Sequence, residues 1–274
     1  MTELNPELQS AVEARLRYYR DLGVYDMYRR CDPEPRESEI LAETATVLSP
    51  ESVIPPRKTV PAAPGASPAF TILSPEQRVA ALDAIRADIG ECTRCQLAAG
   101  RHKLVFADGD PNARLMFVGE GPGADEDAQG LPFVGRAGQL LNNMINARGL
   151  KRSEVYIANV VKCRPPQNRT PEPEEANTCM QFLWRQIDVV RPEVIVALGA
   201  TAATYLLGGK ASLASQRGRI HSVRGAKLIV TYHPAFLLRD PRQKSEAWKD
   251  LQIAMKELGL KPGKSPNPAG PSKS

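Results

Sequence analysis

No stretch of this chain reaches the roughly 18 consecutive apolar residues that a bilayer-spanning helix needs. The most apolar run, Val194–Leu207, is interrupted by Gly199, Thr201 and Thr204. The opening Met1–Asn5 lacks the basic run and apolar core of an export signal. A cytoplasmic protein with no membrane attachment is expected. Histidine is scarce, with three residues (His102, His221, His233) among 274, and aromatics are only 5%. The composition is otherwise ordinary: 42% hydrophobic and 24% charged residues suffice for a folded core and exclude disorder along the whole length. Five cysteines in a cytosolic chain point to metal binding or catalysis rather than to disulfides.

Charge is unevenly placed. The net charge is +5, yet residues 1–74 hold 8 basic and 11 acidic residues, so the remainder carries +8. A basic body suits a polyanionic partner, nucleic acid above all, although the same excess also serves solubility.

Residues 7–30 are expected to form a helix. Leu8, Val12, Leu16, Tyr19, Leu22 and Tyr25 make an apolar stripe at spacings of three and four. Residues 1–30 are thus an N-terminal helical segment, a packing helix or a site for a protein partner. Residues 31–76 read as a linker, because seven of the 24 prolines lie between Pro50 and Pro75. The tail at 261–274 is similarly rich in Pro, Gly and Ser and is expected to be disordered.

Between them, residues 77–260 alternate strand and helix. Leu115–Val118, Val155–Val161, Val194–Leu198 and Leu228–Thr231 are nearly all-apolar strands. Helices are expected at 137–148, 172–190, 201–207 and 245–258. Apolar strands alternating with helices imply a parallel sheet covered on both faces. The expected fold is α/β, a three-layer α/β/α domain around a four-stranded parallel sheet.

Cys92 and Cys95 form a Cys-x-x-Cys before the first strand, Cys163 follows the second, and Cys179 lies on the next helix. Four thiolates suit zinc or an iron–sulfur cluster. Zinc sites usually carry two tight pairs and only one is present, which leans modestly towards a cluster. A redox dithiol at Cys92 and Cys95 leaves the other two unexplained. Cys31 lies outside the domain.

Ligands of a parallel sheet bind beyond the carboxyl ends of its strands, and three unusual segments fall there. Gly119–Asp127 (GEGPGADED) lacks the third glycine of a dinucleotide fingerprint, which excludes that reading. Its glycines permit close backbone approach, and Glu120 and Glu126 suit a developing positive charge or a water, or else a solvated loop. Asn159 lies inside an apolar strand, where an amide is costly unless it is bonded. It suits the edge of a nucleobase, or a neighbouring loop backbone. His233, in HPAFLLR at 233–239, suits an oxygen gaining negative charge. Leu237 and Leu238 suit a wedge into stacked bases and Arg239 a phosphate, the plainer role being a capping histidine with core leucines. Phe133, within LPFVGR at 131–136, is a core plug or a stacking platform.

GEGPGADED at 119–127, LPFVGRAGQLL at 131–141, NVVKCRPPQNRTP at 159–171 and HPAFLLR at 233–239 occur in one order. Together with the Cys-x-x-Cys, they resemble family 4 uracil-DNA glycosylases, the iron–sulfur type of bacteria and archaea, over residues 75–260. The resemblance implies a 4Fe–4S cluster on Cys92, Cys95, Cys163 and Cys179, with a structural role. It implies excision of uracil from uracil-containing DNA, the first step of base-excision repair. By motif position, Phe133 stacks on the flipped uracil and Asn159 reads its edge. Glu120 and Gly121 line the pocket through their backbone, and His233 stabilises the departing base at O2. Glu126 shields C5 or helps hold water. The Asp and Tyr of the family 1 pattern are replaced by Gly121 and Gly123. A related group traps uracil on a histidine in an added basic loop; here Cys163–Pro171 is short and has no His. The reading from another class is a catalytically silent nucleic-acid-binding module with a structural metal. Monomer is the default oligomeric expectation.

Overall fold

A computed structural model describes residues 73–209 and 212–260. The N-terminal helical segment, Cys31, nearly all of the linker and the tail lie outside the described residues. Helix α1 spans Pro75–Ile89 and so begins within the last two residues assigned to the linker. Ser74 caps it by accepting from the Gln77 amide, Gln77 reciprocates, and Pro75 occupies the first turn, where its missing N–H costs nothing. Leu82, Ile85 and Ile89 are its buried face, and the Arg78 guanidinium donates to the Val190 carbonyl 2.9 Å away.

The four expected strands are present and parallel: β2 (Leu115–Gly119), β3 (Tyr156–Asn159), β4 (Val194–Leu198) and β6 (Ala226–Thr231). Two antiparallel edge strands extend the sheet to six, β1 (Asp108–Gly109) beside β3 and β5 (Ile220–Val223) beside β6. The spatial order is β1-β3-β2-β4-β6-β5. Both edges escaped the sequence reading for physical reasons. β1 is a two-residue Asp-Gly with no β propensity, and β5 is short and half-exposed. The hairpin from β5 to β6 turns at Arg224 (φ 48°) and Gly225 (φ 82°), both left-handed, as a two-residue turn matched to strand twist requires.

Side-chain alternation along the strands divides the core. Met116, Val118, Ala158, Ile195, Ala197, Leu228 and Val230 face one layer, which contains α1 and the helix α4 (Pro173–Val190). Leu115, Phe117, Ile157, Val194, Val196, Leu198 and Ile229 face the other, against α3 (Arg136–Asn146) and α8 (Lys244–Glu257). This is the expected three-layer α/β/α arrangement. Among the described residues, no helix is long and apolar enough to cross a membrane.

Phe117 is 2% exposed at the centre of the second layer. Its replacement by Ala removes a ring from a close-packed site and is expected to cost about 3–5 kcal/mol, read as a lowered midpoint in chemical denaturation.

Candidate active site and thiol centre

The parallel strands deliver their carboxyl ends to one side of the sheet. A cavity of about 520 Å³ opens there, and its lining includes Glu120, Gly121, Glu126, Phe133, Asn159 and His233. Every pocket residue expected from the sequence is therefore brought to one place. β2 contributes through a glycine: Gly119 pairs with Asn159 of β3, and a Cβ at 119 would overlap both the Asn159 amide oxygen and the Phe133 ring. Only a residue without a side chain lets these two groups meet above the strand end.

Asn159 is 1% exposed, and its Oδ1 has no hydrogen-bond partner. An acceptor left so is costly, and at a cavity wall it calls for a donor on a ligand. The backbone around it is firmly held. Val160 N–H donates to the Gly119 carbonyl at 2.9 Å, Val161 N–H to the Glu120 carbonyl at 3.1 Å, and the Lys162 ammonium to the Asn159 carbonyl at 2.8 Å. The Glu120 carboxylate accepts a short hydrogen bond from the Thr201 hydroxyl on α5 (Ala200–Leu207).

His233 is the N-cap of α7 (Pro234–Arg239), and its Nδ1 accepts from the Ala235 amide at 3.1 Å. That bond places the proton on Nε2. Burial, then the Arg239 cation, push the imidazole from 6.5 down to about 4, with Glu126 partly opposing. The ring is therefore a neutral Nε2–H donor at physiological pH. Its centroid lies 5.7 Å from that of Phe133, at an interplanar angle of 34°.

Phe133 is 5% exposed and has φ 52°, a left-handed backbone rarely adopted by a bulky residue. Glu126, on α2 (Ala124–Gln129), holds the loop beyond it by accepting from the Val134 and Gly135 amides, both at 2.9 Å, and from the Gly123 amide at 3.0 Å. Its carboxylate is thus a tie between two loops, not the open acid expected from the sequence. The next residue of α2 is Asp127. It is 1% exposed and accepts from the His102 amide at 2.9 Å and the His102 ring at 2.6 Å.

HPAFLLR is a helical turn rather than a loop, and this corrects one assignment. Leu237 is 1% exposed and belongs to the core, whereas Leu238 is 37% exposed. With α7's inner face set by packing, Leu238 is the one of the two leucines left at the surface. Arg239 lines the cavity. Sequence reasoning missed Thr201 and Arg152, whose roles exist only through contacts between distant segments.

The four cysteines of the domain line a second hollow, with apolar walls including Ile89, Leu104 and Phe182. All four are free thiols. Among the described residues, no three His, Cys, Asp or Glu side chains converge on a point suited to one metal ion. The four cysteines nonetheless share the lining of this one hollow. N–H donors face them: Arg101 to Cys163 Sγ at 3.3 Å, Arg94 to Cys92 Sγ at 3.5 Å, and the Lys162 amide to Cys179 Sγ at 3.3 Å. Burial pushes the Cys179 thiol up to about 11. Soft donors, a low-dielectric lining and hydrogen bonds to sulfur all fit an iron–sulfur group.

Residues 106–252 match the family model of the uracil DNA glycosylase superfamily. The type-4 uracil-DNA glycosylase of Thermotoga maritima is 50% identical over 154 residues, covering 56% of this chain and 80% of its own. That of Archaeoglobus fulgidus is 41% identical over 179 residues, 62% of this chain and 90% of its own. The type-5 uracil-DNA glycosylase of Pyrobaculum aerophilum is 34% identical over 144 residues, 46% and 63% of the two chains.

The unfolded chain protonates the His233 ring near 6.5 and the folded chain only near 4. Acidification through that window therefore favours the unfolded state and lowers stability. In nitrogen NMR, the His233 ring is expected to keep neutral Nε2–H shifts from about pH 8 to about pH 5.5. A ring titrating at the ordinary histidine value would contradict the assignment.

Proposed function

The chain belongs to the uracil DNA glycosylase superfamily, and on that premise we propose that it excises uracil from DNA as a type-4 enzyme, initiating base-excision repair. The observation that carries this reading is the convergence of an unpaired buried amide oxygen, a neutral imidazole donor and an aromatic ring on one cavity. A base inside a duplex is out of reach of such a cavity, so the target nucleotide is extruded, at a cost of roughly a few kcal/mol. Phe133 stacks on the extruded base. Asn159 Oδ1 accepts the N3–H of uracil and its amide N–H donates to O4; cytosine presents the reverse pattern and leaves both unpaired.

The C1′–N1 bond then breaks heterolytically and its electron pair stays on uracil. His233 Nε2–H donates to O2 as that oxygen gains charge, which a neutral, preorganised donor does without losing its proton. The Glu120 carboxylate, held by Thr201, faces the sugar cation and takes the proton of the water that adds to C1′. Glu126 keeps the Phe133 loop in place, and the glycines at 121 and 123 leave backbone lining the pocket. Leu238 and Arg239 meet the DNA at the rim.

Cys92, Cys95, Cys163 and Cys179 would hold a 4Fe–4S cluster, which supplies a structural cross-link and no step of the reaction. With it bound there, these four residues would tie the segment before β2 to the loop that follows Asn159 and to α4. As a repair enzyme of chromosomal DNA the protein would act in the cytoplasm, as a monomer by default.

Two outcomes test this. Iron-loaded protein should release free uracil from a uracil-containing oligonucleotide, and Asn159→Ala or His233→Ala should each slow release by about 10²–10³-fold, the effect of losing one preorganised donor. DNA binding without any release would leave the chain a silent binding module. The purified protein should contain iron and acid-labile sulfide in equal amounts with broad visible absorbance; stoichiometric zinc without iron would sink the cluster while leaving its four ligands in place.

A further inference from the structure

We propose that Arg152 is a positioning residue for base excision, clamping Phe133 in its left-handed conformation and so fixing the ring that walls the pocket. The inference rests on the glycosylase reading above.

Arg152 lies in the turn Arg152–Glu154 just before β3. One guanidinium nitrogen donates to the Phe133 carbonyl at 3.0 Å and to Asn142 Oδ1 at 2.9 Å. The other donates to the Pro132 carbonyl at 2.6 Å, and Nε donates to Asp108 Oδ2 at 2.7 Å. The fork therefore ties the Phe133 loop to β1, through Asp108, and to α3, through Asn142. Its side chain is 24% exposed and that of Asp108 33%, so the pair is only partly screened.

A Phe at φ 52° persists only where its surroundings over-determine it. The loop is gripped from both sides by opposite charges. Arg152 binds the carbonyls of Pro132 and Phe133, and Glu126 binds the amides of Val134 and Gly135. A third restraint is steric. Gly138 of α3 packs so closely that a Cβ there would overlap the Phe133 carbonyl. Arg152 is not among the residues lining the pocket, so it reaches the base through the loop it holds and not by contact. A lysine keeps the charge but cannot fork to two carbonyls, a carboxylate and an amide at once.

The test uses the full iron-loaded chain with Arg152→Ala and Arg152→Lys. Single-turnover uracil release by the Ala variant is expected to fall about 10²-fold, the scale of a small misplacement at the reacting centre, with DNA affinity little changed. The Lys variant should be slow too. Added guanidinium should partly restore the Ala variant and leave wild type and the Lys variant unmoved. With 4-fluorophenylalanine at all six Phe positions, the Phe133 fluorine resonance, identified by its loss in Phe133→Leu, should shift or broaden in both variants. Full release by the Ala variant, or weakened DNA binding with an unchanged rate, overturns the proposal. If the Ala variant fails to fold, the Lys variant decides: an unmoved Phe133 resonance refutes the clamp. Absence of uracil release by wild type would instead defeat the glycosylase reading, while the fluorine spectra would still judge the clamp.

Discussion

Parallel pairing of Gly119 with Asn159 sets the geometry on which the site depends. It brings the end of an apolar strand against a residue with no side chain. The space so left is filled by the Asn159 amide and the Phe133 ring. A register slip of one residue would send the amide to the other face of the sheet, away from the cavity. The backbone bonds from Val160 and Val161 to the carbonyls of Gly119 and Glu120 carry the pairing past the strand ends and lock this register where it matters.

The segment from Asn159 to Cys163 serves two centres with five residues. Its first residue faces the cavity and its last faces the thiol hollow. Lys162 lies between them, buried, its ammonium bonded to the Asn159 carbonyl and, at 2.6 Å, to Gln186 on α4, while its amide donates to Cys179. Burial pushes the Lys162 ammonium down to about 8. A long side chain inside the core thus joins the pocket backbone to the helix that carries Cys179, so the two centres share one wall.

Much of this is legible in the sequence. The four apolar parallel strands, the four helices expected between and after them, and the positions of Glu120, Gly121, Phe133, Asn159 and His233 near strand ends follow from periodicity and motif order. What escaped has physical causes. β1 and β5 lack the hydrophobic alternation that marks a strand, because each is an edge held by backbone pairing. α7 is a six-residue turn started by a histidine cap. Its rotation, which buries Leu237 and exposes Leu238, depends on what lies beneath it. Glu126 looked like an acid facing a ligand because, beyond its local cap on Gly123, its partners Val134 and Gly135 lie in a loop that a linear reading does not fold back onto it.

The sequence by itself determined the chemistry available: which residues carry an amide, an imidazole, a carboxylate or a thiol, and that they fall where a parallel sheet gathers its loops. Tertiary structure alone decided their state. Desolvation and the α7 amide make His233 a neutral donor, opposite charges hold Phe133 in a strained backbone, and packing leaves one amide oxygen unpaired at the cavity wall. Each is a sum over neighbours distant in the chain, and such sums exist only once the layers have closed.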